Sequence, residues 1–190
     1  MTKRVIYFHG YGSSPETSKT ARLRESLPGF CDYTMHWQLA PVHAFPIDID
    51  PKIALAELTQ RIDSLLLDDM HGPCNMVFVG TSLGGWWASK LGLLYDIPAI
   101  IINPAITPST SLLEYGVSEE LANQYAPLVA TARHEYFFGL QDKIVDSTEL
   151  RKILDSIGAK YTTVADAGHR FDGKEFDLIT DCLIEKDFNA

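Results

Sequence analysis

The sequence predicts an α/β protein, with a mostly parallel six-stranded sheet and helices on both faces. Three observations carry this. Short apolar runs with no polar residue inside them, such as residues 5–8 and Ala99–Ile102, are the pattern of strands buried on both faces. Between such runs, apolar residues recur at helical spacing, most clearly as Ala54, Leu58, Ile62, Leu65 and Leu66. Turn-forming residues stand where one pattern gives way to the other, as in Pro28-Gly29, Gly72-Pro73 and Gly158.

A chain of 190 residues with 46% hydrophobic and 22% charged content suits one domain with a substantial core. Its formal charge of −9 argues against nucleic acid or an anionic membrane as partner, because both reward a basic surface. No apolar run approaches the length of a membrane span or a signal-peptide core. Cys31, Cys74 and Cys182 are far apart and form no C-x-x-C pair, as expected of reduced thiols in the cytoplasm. The six histidines are scattered too, so neither a metal nor another cofactor is expected.

In chain order, the first strand at residues 5–8 ends in the loop His9-Gly10-Tyr11-Gly12-Ser13-Ser14-Pro15. Ser14-Pro15 is a candidate helix start, and Pro28-Gly29 the stop. A second strand is expected at residues 33–38, followed by a loop over residues 39–50 that contains Pro41 and Pro46. Asp50-Pro51 then opens a long helix. Residues 76–79 form the central strand, followed by a helix to Tyr95, and Asn103-Pro104 closes the strand at Ala99–Ile102.

Residues 105–131 carry no strong strand signal and exceed an ordinary connection, which predicts a small cover segment with a helix near residues 119–125. A strand is expected at residues 134–138. Asp146 caps the next helix, with Val145 and Leu150 as hydrophobic staple. The last strand is expected at residues 160–164. Asp172 repeats the capping pattern before a terminal helix, with Phe171 and Phe176 as staple.

The chemistry centres on Gly80-Thr81-Ser82-Leu83-Gly84, a G-x-S-x-G pattern between a strand and a helix. Such a turn is so tight that small residues must flank the serine, and it presents the hydroxyl above a helix N-terminus. A serine nucleophile needs a base, the base an orienting acid, and the oxyanion two fixed donors. His169 follows the last strand and is the base candidate, whereas His71 and His134 lie at the wrong ends of their strands. For the acid, Asp142 is preferred, Asp146 is the fallback because it already caps a helix, and Asp166 comes third.

The oxyanion donors are expected at the backbone N–H groups of Leu83 and Tyr11, with His9 packed beneath the site. Trp86, one turn after Ser82, stands where it would line an acyl pocket, although most aromatics so placed are core. Gly84 and Gly85 allow their helix to pack closely on the first strand's loop. A nucleotide-binding reading fails, because Gly80-x-x-x-Gly84-Gly85 has neither the G-x-G-x-x-G spacing nor the lysine of a P-loop.

Four stretches together resemble the α/β-hydrolase superfamily, and within it the small bacterial YqiA-like esterases. They are Tyr7-Phe8-His9-Gly10-Tyr11-Gly12-Ser13-Ser14-Pro15, Gly80-Thr81-Ser82-Leu83-Gly84-Gly85, Ile102-Asn103-Pro104-Ala105 and Ala167-Gly168-His169-Arg170-Phe171. The resemblance implies a minimal α/β-hydrolase fold and hydrolysis of a small-molecule acyl ester or thioester by Ser82, Asp142 and His169. A member of the same fold without catalytic activity, serving as a ligand-binding or interaction module, is the competing expectation.

Overall fold

The computed structural model describes residues 2–27, 42–67 and 74–186. Six strands form one sheet: β1 (Thr2–Phe8), β2 (Val42–Ala44), β3 (Cys74–Thr81), β4 (Ala99–Ile102), β5 (Glu135–Gly139) and β6 (Tyr161–Val164). Their spatial order is β2-β1-β3-β4-β5-β6, and every neighbouring pair is parallel. The order reverses once, as in a doubly wound sheet, and carboxyl ends on either side of such a reversal frame a crevice. Helices α1 (Ser18–Ser26), α2 (Pro51–Leu66), α3 (Leu83–Tyr95) and α6 (Ser147–Ser156) lie in crossovers between parallel strands, and α7 (Asp177–Glu185) follows β6. Two shorter helices, α4 (Pro108–Glu114) and α5 (Glu119–Ala122), lie between β4 and β5. None of the described helices is long and apolar enough to cross a membrane.

Strand alternation divides the core in two. Val5 and Tyr7 of β1, with Val77 and Val79 of β3, face Leu23 of α1 and Ile179 and Leu183 of α7. Ile6, Phe8 and Phe78 face the other way, onto Leu58 of α2, Trp87 and Leu91 of α3, and Leu150 and Leu154 of α6. With both faces covered, the central strands need apolar residues at every position. Ala99, Ile100, Ile101 and Ile102 are accordingly all fully buried.

Several boundaries differ from the sequence expectation. The expected strand at residues 33–38 lies outside the described residues, while Val42–Ala44, read as loop, pairs with β1 as an edge strand. A three-residue strand bracketed in sequence by Pro41 and Pro46 offers no run long enough to be recognised, and edge strands tolerate proline. Helix α1 starts later than Ser14-Pro15. Its cap is Thr17, whose side chain accepts from the Thr20 N–H while the Thr20 hydroxyl accepts from the Thr17 N–H.

Asp50 caps α2 through the Lys52 and Ile53 N–H groups, with Pro51 in the first turn, as the pattern requires. Asp146 caps α6 likewise. Asp172 does not cap the terminal helix. Gly173 begins a 3₁₀ turn over Lys174–Phe176 without any side-chain cap, and its own N–H donates to Glu175 Oε1. His134 is buried just ahead of β5, where burial pushes its imidazole down to about 4.

Candidate active site

The crevice is built around a strained serine. Ser82 links β3 to α3 with φ +55° and ψ −123°, a conformation that costs a non-glycine residue on the order of 1–3 kcal/mol. The surrounding structure holds it there. The Ser82 N–H donates to Ile102 O of β4 at 3.0 Å, and the Ala105 N–H donates to Ser82 O at 3.1 Å. The glycines flanking the turn are obligatory for space. A Cβ at Gly80 would lie 2.1 Å from Gly84 O, and one at Gly84 would lie 2.0 Å from Phe8 O. Helix α3 therefore packs directly on the end of β1 at Gly84, as expected, whereas Gly85 lies against Pro104 after β4 instead of the first strand's loop.

His169 Nε2 lies 3.0 Å from Ser82 Oγ, and His169 Nδ1 lies 2.8 Å from Asp142 Oδ2. A carboxylate only accepts, so Nδ1 carries the proton toward Asp142 and the neutral ring presents Nε2 as an acceptor to the serine hydroxyl. Asp142 is well supported for that role. Its other oxygen, Oδ1, accepts from the Ile144 N–H at 2.8 Å and the Val145 N–H at 3.0 Å. Burial alone would raise its carboxyl, since the side chain is 1% exposed. The hydrogen bonds from His169, Val145 and Ile144 outweigh burial and hold it below the usual carboxylate range.

The two other acid candidates stay apart from His169. Asp146 spends Oδ1 on the Thr148 and Glu149 N–H groups at the start of α6, and Asp166 is exposed.

Tyr11 and Leu83 border the same small space as Ser82. Among the described residues, neither backbone N–H donates to a protein acceptor, so both are available there. His9 lies buried beside them, its Nδ1–H donating to Gly10 O at 2.9 Å. Burial lowers its imidazole, the opposite of what a carboxylate partner would do.

Trp86 does not border the space. It is 3% exposed, packs edge-on against Trp87 and Tyr125, and donates its indole N–H to Ala126 O at 2.9 Å. Helix α3 turns that side chain into the core, where it fastens residues 105–131 rather than lining the crevice. Ser89 does similar work through its hydroxyl, which donates to Val129 O at 2.7 Å.

Asn103 is the residue that sequence reasoning passed over. The sequence marks it only as the close of a strand and as part of one resemblance stretch, without a role, yet it is fully buried with φ +41°. Its Nδ2 donates to Gly168 O and His169 O, both at 3.0 Å, and its Oδ1 accepts from the Gly139 N–H at 3.0 Å. One side chain thus ties the end of β4 to the end of β5 and to the loop that carries His169. The available signal was an asparagine directly closing a fully apolar strand, since Asn is among the few side chains that tolerate positive φ.

Among the described residues, no three His, Cys, Asp or Glu side chains gather as a metal-ligand set.

This arrangement, a parallel sheet with a strained serine turn after its third strand, is the α/β-hydrolase fold. Solved structures with the same fold include the Pyrococcus furiosus esterase Pf2001, with TM-score 0.71 and 16% identity over 96% of this chain and 80% of that one. Est1E from Butyrivibrio proteoclasticus matches with TM-score 0.69 and 15% identity over 97% and 86%. The mouse alpha/beta hydrolase domain-containing protein 10 matches with TM-score 0.61 and 16% identity over 95% and 88%.

Within that class the chain belongs to UPF0227, described as an uncharacterised protein family, which it matches over residues 4–171. A UPF0227 protein of Shewanella woodyi is 26% identical over 57% of this chain. The match spans only about half of that relative, 55% of its length. UPF0227 protein ECA1814 of Pectobacterium atrosepticum is 24% identical over 85% of this chain and 86% of its own.

Proposed function

We propose that the protein is a serine hydrolase that cleaves carboxylic ester or thioester bonds of small to medium acyl substrates. The observation that supports this most is the unbroken chain from Ser82 Oγ through His169 to Asp142, with spacings of 3.0 and 2.8 Å, at a serine whose backbone is held in strain. Two of these groups in contact would be common. Three in order, each at a strand's carboxyl end and with free N–H groups beside the hydroxyl, is the arrangement that acyl transfer needs.

In this reading Ser82 Oγ attacks the acyl carbonyl carbon while His169 Nε2 takes its proton. Asp142 stabilises the imidazolium that forms and keeps Nε2 aimed at the serine. The tetrahedral oxyanion accepts from the Leu83 and Tyr11 N–H groups. As the intermediate collapses, the bond to the leaving oxygen or sulfur breaks and the imidazolium returns its proton to that atom. Water, deprotonated by the same nitrogen, then attacks the acyl-serine. The acid product leaves and Ser82 is restored.

The decisive experiment pairs p-nitrophenyl acetate hydrolysis with fluorophosphonate labelling on wild type and Ser82→Ala. Wild type turns over the ester and is labelled once. Ser82→Ala is folded, unlabelled and slower by a factor of at least ~10⁴, the scale of loss on removing a triad member. Full ester hydrolysis by folded Ser82→Ala would overturn the assignment of the nucleophile. An inert wild type would leave the fold as a ligand-binding module.

A further inference from the structure

The two N–H groups that would bind the oxyanion sit on different segments. Leu83 opens α3, whereas Tyr11 belongs to the loop after β1. A donor is effective only at about 2.7–3.1 Å from where the charge develops, so the spacing of the two segments has to be held. Gly10 brings the loop onto the serine: a Cβ there would stand 3.2 Å from Ser82 Cβ and 3.7 Å from Ser82 Oγ. The Gly10–Tyr11 peptide is trans and planar, so its N–H points opposite to its C=O. Gly10 O accepts from His9 Nδ1–H at 2.9 Å and from the Ser13 N–H at 3.2 Å, which fixes that direction within the loop.

Those bonds do not hold the far side of the loop. At its start, His9 O lies 2.6 Å from where a Cβ on Gly84 would stand, directly against α3. Past that point Tyr11, Gly12, Ser13 and Ser14 are all exposed, and a Cβ on Gly12 (φ +65°) would meet nothing within 4 Å. A second hold comes from the cover segment. The Tyr115 ring meets the Tyr11 ring at 5.7 Å between centroids, with the planes tilted by 41°. Both residues border the space over Ser82.

We propose that Tyr115 is a positioning residue for the oxyanion site: through its ring, the cover segment holds Tyr11 and thereby the Tyr11 N–H at a set distance from the Leu83 N–H. The inference rests on the hydrolase reading above. The brace is firm because its other end is fastened to α3. Trp86 Nε1–H and the Ser89 hydroxyl donate to Ala126 O and Val129 O of the cover, and Leu112 is buried in the main core. Tyr115 closes α4 in a turn that fixes its backbone. Gly116 follows with φ +80°, its N–H donates to Leu113 O, and the Val117 N–H donates to Leu112 O, both at 3.0 Å. One helix therefore carries the Leu83 N–H directly and reaches the Tyr11 N–H through the cover.

The test is a double-mutant cycle on the full protein with p-nitrophenyl acetate, using Tyr11→Ala, Tyr115→Ala and the pair. Each change leaves the backbone N–H groups in place and removes one ring of a half-exposed contact, so little of the fold is at risk. Each single variant is expected to lower kcat about tenfold with KM within about twofold, because a displaced donor loses binding of the transition state alone. The pair is expected to lie within about twofold of either single variant, since the contact is already gone. Tyr115→Phe keeps the ring and is expected to keep kcat within about twofold of wild type. Inhibition by 1,1,1-trifluoroacetone, whose adduct with Ser82 carries the oxyanion, is expected to weaken about tenfold in each single alanine variant. The pH midpoint of kcat/KM should not move, because His169 and Asp142 are untouched.

Losses that multiply in the pair, to about 100-fold, mean that the two rings act independently and overturn the brace. A rise in KM at unchanged kcat overturns it too, as the mark of a wall that only touches substrate. So does a Tyr115→Phe as slow as Tyr115→Ala. In each of these cases wild type still hydrolyses the ester and is labelled, and the hydrolase reading stands. A wild type with no ester turnover and no fluorophosphonate labelling overturns that reading, and the brace with it.

Discussion

The two ends of β5 bury polar groups in opposite ways. At the amino end His134 sits 2% exposed against Gly92 of α3, with its ring 2.8 Å from where a Cβ at Gly92 would stand. Burial outweighs the little that the Ser89 and Arg133 backbone does in favour of charge, and pushes the imidazole from 6.5 down to about 4. At the carboxyl end Asp142 is buried as deeply, yet its carboxyl is held below the ordinary range by three donors aimed at it. Burial that outweighs weak partners keeps a titratable group neutral. Burial among prearranged donors keeps it charged and ready, and strained backbone at Ser82 and Asn103 gathers at that same edge.

Asp142→Asn should break the contrast most severely. The amide keeps the shape but can donate to Nδ1, which reverses the tautomer and points a proton at Ser82. A fall in kcat on the order of 10⁴ is expected, with KM little changed and thermal stability close to wild type. Steady-state kinetics beside a melting curve checks this. A loss below tenfold would return the acid role to another carboxylate.

Asn103→Ala comes next. It removes the donors to Gly168 O and His169 O and leaves the Gly139 N–H unpaired. As a positioning change, it is expected to lower kcat about 10- to 100-fold and to slow fluorophosphonate labelling in step. Asn103→Asp retains the acceptor for Gly139 but sets a buried carboxyl against the Gly168 and His169 carbonyls, so it should lose both stability and labelling rate. Equal labelling by all three proteins would reduce Asn103 to a packing residue.

At the other end of β5 the effect should fall on stability alone. Below pH 6.5 the unfolded chain takes up a proton at His134 that the native state refuses until about pH 4. Stability is therefore lost as pH falls through that window, with no further loss from this group below it. By pH 5 the loss is about 2 kcal/mol relative to pH 7. Urea titrations at both pH values should show that difference shrinking by a similar amount in His134→Leu, with ester hydrolysis at pH 7 still present.

The smallest effect sharpens the comparison within the carboxyl edge. Asp146 lies four residues from Asp142 but gives its carboxylate to the start of α6. Asp146→Ala should lower the melting temperature slightly, as loss of a helix cap does, and activity by less than tenfold.

Much of this was legible because local rules apply where each residue's job is local. Asp50 with Pro51 and Asp146 announced their helices, and the flanking glycines announced the turn at Ser82. The order of serine, acid and histidine along the chain was readable as well, since each follows a recognisable strand. Asn103 was not legible. Its partners, at Gly139, Gly168 and His169, are 36 to 66 positions away, and no periodicity marks them. Trp86 shows the same limit: helical spacing put it one turn from Ser82, but packing against Trp87 and Tyr125 turned it into the core.

The sequence by itself determined the alternation of strands and helices, the turn at Ser82 and the residues able to carry acyl-transfer chemistry. These follow from hydrophobic period, capping and steric rules that act over a few residues. The tertiary structure alone decided which aspartate meets His169, and that Asn103 ties the ends of β4 and β5 to the loop that carries His169. Those depend on distances between segments far apart in the chain, which only the packed sheet and its crossing helices set.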